Sequence, residues 1–245
     1  MGAYLKAENL KLKNTFTKKL ILIMPLIVLL LGNLIPPYYE QDCFNWWYTT
    51  ILLGYISLIC FLVHQKENKK LKYIGVMSLP VNLKKVWISK VLLIGTYILI
   101  SCIILSIGIL NGRIMYPGAI KNPMPVTTVM IAGLIIAITS LWQIPLCFFL
   151  SKKIGLFPTI LINTVVGIVL NLFTVNKELW VFCPYSYTTR LMCPIIRVLP
   201  NGLLAKTGDP LLNPNVIFPG LILSIVLFII LTLVTAYWFS KQEVK

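Results

Sequence analysis

Acidic residues are what this sequence has least of: seven Asp and Glu in 245 residues, against 22 Lys and Arg and a single histidine, His64. So few carboxylates and imidazoles leave little from which to build an acid-base pair or a metal centre. Neither a His-Glu-x-x-His zinc pattern nor a Gly-x-Ser-x-Gly nucleophile elbow occurs. The Gly-x-x-x-x-Gly-Lys-Ser/Thr phosphate loop is missing too, so the chain by itself does not bind ATP in the usual way. Charge of both signs together makes up only 12% of residues, where a soluble domain carries roughly a quarter. That shortage excludes a water-soluble domain.

Hydrophobic residues, by contrast, make up 58% of the chain. They gather into runs of spanning length, since a helix rising about 1.5 Å per residue needs roughly 17 to 25 residues to cross the hydrocarbon. Six such runs are legible, at about 20–37, 45–63, 91–110, 126–150, 157–173 and 217–239. The second opens on Trp46 and Trp47, residues of the type that anchor a helix at the interface. Pro145 and Pro158 mark where the fourth and fifth runs would kink. The first run is expected to be retained, not cleaved as a signal peptide. A long flank precedes it, and bulky Ile-Pro-Pro-Tyr-Tyr follows where small residues would mark a cleavage site.

A net charge of +15 invites a nucleic-acid reading until its distribution is mapped. Sixteen of the 22 cations fall before the first run, between the second and third, between the fourth and fifth, or after the sixth. The other six, Arg113, Lys121, Lys177, Arg190, Arg197 and Lys206, are dispersed in longer connections beside Glu40, Asp42, Glu178 and Asp209. The positive-inside rule places the first set in the cytoplasm, with both ends of the chain. The expected fold is therefore an all-α polytopic membrane protein of six spans, forming one transmembrane domain over 1–245. Of the six cysteines, Cys60, Cys102 and Cys147 fall inside spans. Cys43, Cys183 and Cys193 fall outside, and the sequence leaves open whether Cys183 and Cys193 are bridged.

The spans themselves carry essentially no ionisable group. This argues against a membrane-embedded enzyme and against a proton- or sodium-driven carrier, which place such groups near the midplane. His64 reads as a helix-end residue at the interface. Residues 1–19 read as an amphipathic helix on the inner leaflet, or as a plain basic flank of the first span, with Leu5, Leu12 and Phe16 in one arc, lysines on both flanks and Glu8 counted with the helix. The 64–90 connection is longer than a turn requires. It interleaves Leu71, Tyr73, Ile74, Met77 and Leu79 with lysines, and Pro80 and Asn82 supply a break and a helix cap. Such a segment suits a cytoplasmic partner. The outer connection 174–215 contains five prolines and is expected to form short surface or re-entrant helices. Its Trp180, Tyr185, Tyr187, Met192 and Ile195 are candidates for meeting an amphipathic peptide, the aromatic ones alternatively for an interfacial belt. The outer acids are candidates for attracting a cationic peptide, or are simply solvated.

Glu67, Gly75, the Ser78-Leu79-Pro80-Val81 step and Ser89-Lys90 resemble the coupling loop of ABC-2-type transporter permeases, and residues 4–15 resemble their N-terminal helix. Asn45-Trp46-Trp47-Tyr48, Pro184-Tyr185-Ser186-Tyr187, Arg190-Leu191-Met192-Cys193-Pro194 and Leu199-Pro200-Asn201-Gly202 are similar to the lantibiotic-immunity permeases of the MutE/EpiE group, across essentially the whole chain. The lysine-rich 66–72 stretch departs from the more acidic loops of the wider family. The resemblance implies a permease subunit in a bacterial plasma membrane that pairs with a related permease and two copies of an ATPase subunit to expel a lantibiotic. ATP and Mg²⁺ would bind in the ATPase partner, and this chain would hold no cofactor or metal and perform no catalysis. It further implies ATPase coupling through Glu67, Lys70, Leu71, Tyr73, Ile74, Gly75, Met77, Leu79 and Pro80. Cargo contact would fall to Trp46, Trp47, Trp180, Tyr185, Tyr187, Arg190 and Met192. Another cargo, or a non-transporting sensor or scaffold, are the alternatives.

Overall fold

The computed structural model describes residues 1–71, 73 and 80–242, with the side chains of 69–71 outside the description. Every regular element among the described residues is helical; the one β feature is an isolated bridge between Val198 and Leu204.

Helix α1 (Gly2–Lys11) meets α2 (Phe16–Gly32) at a corner of 84°. Asn14 makes that corner in the left-handed region at φ 59°, where a short amide side chain is better tolerated than a bulky one. The expected single helix over 1–19 is thereby corrected. Leu12 caps α1 and is buried, whereas Phe16 opens the next helix and is exposed, so the two do not share a face.

A tight turn at Pro36–Tyr38 leads into α3 (Tyr39–Trp46), which continues through a π-helical stretch at Trp47–Ile51 into α4 (Leu52–Leu71). This helix runs eight residues beyond the apolar run that ends at Val63 and absorbs the start of the expected loop. Asn82 then caps α5 (Leu83–Met115), its side chain accepting from the Lys85 amide at 3.1 Å. Thirty-three residues of helix extend about 50 Å at 1.5 Å each, well beyond the hydrocarbon. Lys84, Lys85, Lys90 and Arg113 thus lie near its two ends. Helix α5 is the central post: α1, α2, α6 (Val126–Ser140) and α11 (Ile217–Ser240) all pack on it.

Helix α6 bends by 43° into α7 (Gln143–Ile154). Pro145 has no amide hydrogen for the Leu141 carbonyl, which instead accepts from Ile144 at 3.0 Å. Pro158 causes no comparable break, because it occupies the first turn of α8 (Leu156–Ile160), where its missing N–H is not needed. Helix α8 continues through a π-helical stretch at Leu161–Val166 into α9 (Gly167–Thr174). The following connection carries α10 (Pro184–Ile196), which packs against α6 and α9.

Four helical runs, 36–68, 83–115, 156–174 and 214–240, are long and apolar enough to cross a membrane. The bent pairs α1–α2 and α6–α7 raise the number to six if each is one span. The chain is thus a multi-pass membrane protein of four to six candidate spans.

Candidate functional site

Three segments far apart in sequence converge where α1 lies across the ends of α4 and α5. The Lys90 ammonium, 1% exposed, bonds Glu8 Oε2 at 2.5 Å and Glu67 Oε1 at 2.7 Å. Lys11 bonds the same two carboxylates, at 2.7 Å to Glu8 Oε1 and 2.8 Å to Glu67 Oε1. The result is a neutral square of two acids and two bases. Neutrality matters because taking a lone charge out of water costs several kcal/mol, roughly, and is tolerated only with partners. Burial alone would lower the Lys11 ammonium's hold on its proton; Glu67 and Glu8 outweigh it and raise that group above the ordinary lysine value. Two further bonds pin α1, from Tyr97 Oη to Asn9 Oδ1 at 2.8 Å and from the Asn82 amide to Tyr4 Oη at 3.4 Å.

Beside the square sits an aromatic clasp. Tyr73 adopts a left-handed backbone at φ 66° and is buried; its hydroxyl meets His64 Nδ1 at 2.8 Å, with the rings stacked at 5.5 Å. Lys152 Nζ lies 4.4 Å from the Tyr73 ring and 4.3 Å from the Phe239 ring, and bonds Gln242 Oε1. Trp87 continues the packing, with ring centroids 4.4 Å from Phe148 and 4.7 Å from Phe239 and its indole N–H donated to Thr235 Oγ1 at 3.0 Å. The ends of α4, α5, α7 and α11 are therefore joined around Tyr73. His64, expected at an interface, is 6% exposed and belongs to this clasp.

Of the residues expected to couple to an ATPase, Glu67 is in the square, Tyr73 is in the clasp, and Pro80 is exposed just before the α5 cap. Ile74, Gly75, Met77 and Leu79 lie outside the described residues, as do the side chains of Lys70 and Leu71. Of the expected interfacial face, Leu5 is half-buried and Glu8 is buried in the square.

The expected cargo-contact set is corrected more heavily. Trp47, Trp180, Tyr187, Arg190 and Met192 are all buried within the fold. Trp47 donates to Cys102 Sγ at 3.4 Å, Tyr187 to the Val181 carbonyl at 2.8 Å, and Arg190 to the Leu211 carbonyl at 2.6 Å. Tyr185 is half-buried and bonds Asn163 Oδ1 at 3.2 Å. Trp46 alone of the set is openly exposed, at 48%. Tyr187 and Arg190 thus tie the connection after α9 to itself, Tyr185 ties it to the bundle, and Trp47 packs at the far end of α3. All six cysteines are free thiols, so Cys183 and Cys193 are not bridged here.

A second buried ion pair stands at the opposite end of the bundle and corrects the reading of Glu40 as a solvated acid. Glu40 is fully buried; its Oε1 accepts from Arg113 Nε at 2.6 Å and its Oε2 from the Met124 amide at 2.7 Å. Arg113 also donates to the Met124 carbonyl, so the pair holds the connection between α5 and α6. Neither partnership was visible along the chain. The one available signal is scarcity, since three of only seven acids turn out to be paired, Glu8 and Glu40 buried and Glu67 half-buried.

No curated protein and no solved structure matches the chain. A family model described as ABC-2 family transporter protein matches residues 9–200, a stretch that includes Glu67, Tyr73 and Lys90, and the chain belongs to that family.

Proposed function

We propose that the chain is the permease subunit of an ATP-driven transporter that protects its host from a lantibiotic by expelling the peptide from the membrane. Family membership implies an ATPase partner. In this reading two ATPase copies serve a pair of related permeases, ATP and Mg²⁺ bind in the ATPase, and this chain contributes movement without catalysis. The bent pairs α1–α2 and α6–α7 each count as one span. That gives six spans with both ends of the chain in the cytoplasm of a bacterial cell. The concentration of sixteen of the 22 cations in the connections assigned to that side supports the orientation.

The observation that carries the reading is the ion-pair square of Glu8, Lys11, Glu67 and Lys90, centred on the buried Lys90 ammonium. It locks α1, α4 and α5 into one body at Glu67, the start of the 67–79 stretch that the resemblance assigns to the ATPase cleft. A push delivered there is passed to α4 and α5 as rigid elements rather than dissipated in a loop. The cargo rests on the resemblance in sequence to the lantibiotic-immunity permeases.

The test is purification of the tagged chain from its native host in mild detergent, with peptide resistance measured in the same strain. Recovery of an ATPase subunit, and loss of resistance on deletion of either gene, are expected. A chain recovered only with a kinase, or a deletion strain with unchanged peptide resistance, would sink the proposal.

A further inference from the structure

At the end of the bundle opposite the square, two cavities adjoin and share Gln41 and Leu204 in their walls. The larger, about 740 Å³, lies between Asn122–Pro125 and Pro194–Arg197; the smaller, about 270 Å³, lies beside Ile35, Tyr38, Asp42 and Leu203. Volumes of this order fit a ligand of several residues. The lining includes apolar Met124, Ile195 and Leu204 and one charged residue in each cavity: Asp42 in the smaller and Arg197 in the larger. The neighbouring Glu40 is already occupied by Arg113 and the Met124 amide and adds no free charge.

The walls are stiff. Asn122 and Arg197 both hold left-handed backbones, at φ 52° and 55°, and Pro123, Pro125 and Pro194 stand beside them. The Lys121 amide bonds the Pro37 carbonyl at 2.8 Å, and the Ala205 amide bonds the Arg197 carbonyl at 2.9 Å. Between the cavities sits Gln41, 3% exposed. Its Nε2 donates to the Asn122 carbonyl at 3.2 Å, and its Oε1, buried, has no hydrogen-bond partner. A buried carbonyl oxygen without a donor is costly, and a backbone N–H from a ligand is the natural donor for it.

We propose that this groove binds an extended amphipathic peptide, with a carboxylate at Arg197, apolar side chains along Met124, Ile195 and Leu204, and a basic group at Asp42. It rests on the reading above for its biological role, as the station where cargo is first held. The carboxylate can come from a peptide C-terminus or from an acidic side chain. None of the aromatic residues expected at cargo contact lines this groove, whereas Ile195 does; Tyr38, which borders its smaller part, was not in that set.

The test uses the full chain in nanodiscs of neutral lipid and fluorescence anisotropy of labelled probes. The probes are the hexapeptide Lys-Leu-Ala-Leu-Ala-Leu with a free C-terminus, the same peptide amidated, and the amidated peptide with Glu in last place. Arg197→Asn keeps the left-handed backbone while removing the charge. It should weaken the free-acid peptide about fivefold, the scale of an exposed ion pair, and leave the amidated one unchanged. Asp42→Asn should weaken all three probes, and the Glu-ended probe shows whether a side-chain carboxylate serves as well as a terminal one. Equal affinity for the acid probes and the plain amide in the wild type, or binding no stronger than to empty nanodiscs, would overturn the proposal. So would tighter binding of glycerol phosphate than of any peptide, which would make the groove a lipid-headgroup site. Because no ATPase is present, a failure here leaves the transporter reading standing, and absence of an ATPase partner leaves this result standing.

Discussion

Lys90 and Lys11 hold the same two carboxylates, yet they differ in what they stake. Lys90 is 1% exposed and Lys11 40%. Removing the Lys90 ammonium leaves Glu8 and Glu67 in a poorly solvated place with half their compensation gone, and breaking a buried pair in this way costs about 3–5 kcal/mol. A half-exposed partner is worth less than about 1 kcal/mol. Lys90→Met should therefore lower the thermal unfolding midpoint in detergent sharply, while Lys11→Ala barely moves it. The triple variant Lys90→Met, Glu8→Gln, Glu67→Gln should recover much of the loss, because the only charge left unpaired is Lys11, which at 40% exposure stays solvated. Equal effects of the two single lysine variants would contradict the geometry. Arg113 follows the same logic at the other end, with Glu40 as the charge that would be stranded.

Between elements, the decisive contacts are made by residues without side chains to spare. A Cβ on Gly112 would stand 2.1 Å from Tyr39 Cε1, and that ring is 2% exposed and packed on Tyr116 at 5.8 Å. Gly112→Ala must push α3 from α5 and should cost about 1–3 kcal/mol by the usual scale of overpacking. Gly2→Ala, which meets nothing within 4 Å, is the control and should be silent in the same melt. Much at this scale was legible in the sequence. Four of the apolar runs lie within the long helices, Asn82 caps α5, and Pro145 accounts for the α6–α7 bend. Two boundaries were not. Helix α4 continues to Leu71 through lysines that hydropathy reads as loop, and α1 stops at Lys11 because Asn14 turns a corner that periodicity does not see. Aromatic residues misled for a different reason. A tryptophan in an interfacial belt and one in a protein core have the same neighbours in sequence, and only packing separates exposed Trp46 from buried Trp47. The square was invisible because Glu8 and Lys90 are 82 positions apart.

The whole molecule has two unlike ends joined by an apolar middle. One end carries the square and the clasp, the other the Glu40–Arg113 pair and the groove. The 33-residue α5 touches the decisive chemistry at both, with Lys90 near its start and Arg113 near its finish. A rigid post of this kind gives a displacement beside Glu67 a mechanical route to the connection that walls the groove. Helices α8–α9 and α11 are apolar on their outer faces, with only 22% and 17% of their spanning stretches buried in the chain, and suit lipid or a second permease. The central claim is that the square transmits work done by the partner ATPase that family membership implies. Its most direct test is reconstitution of the complete complex in liposomes, with ATP hydrolysis and peptide release followed in the same sample for wild type and for Glu67→Gln. The account predicts that Glu67→Gln continues to hydrolyse ATP while peptide release per ATP falls at least about tenfold, the low end of the usual range of coupling between sites. Unchanged release per ATP in that variant would contradict it.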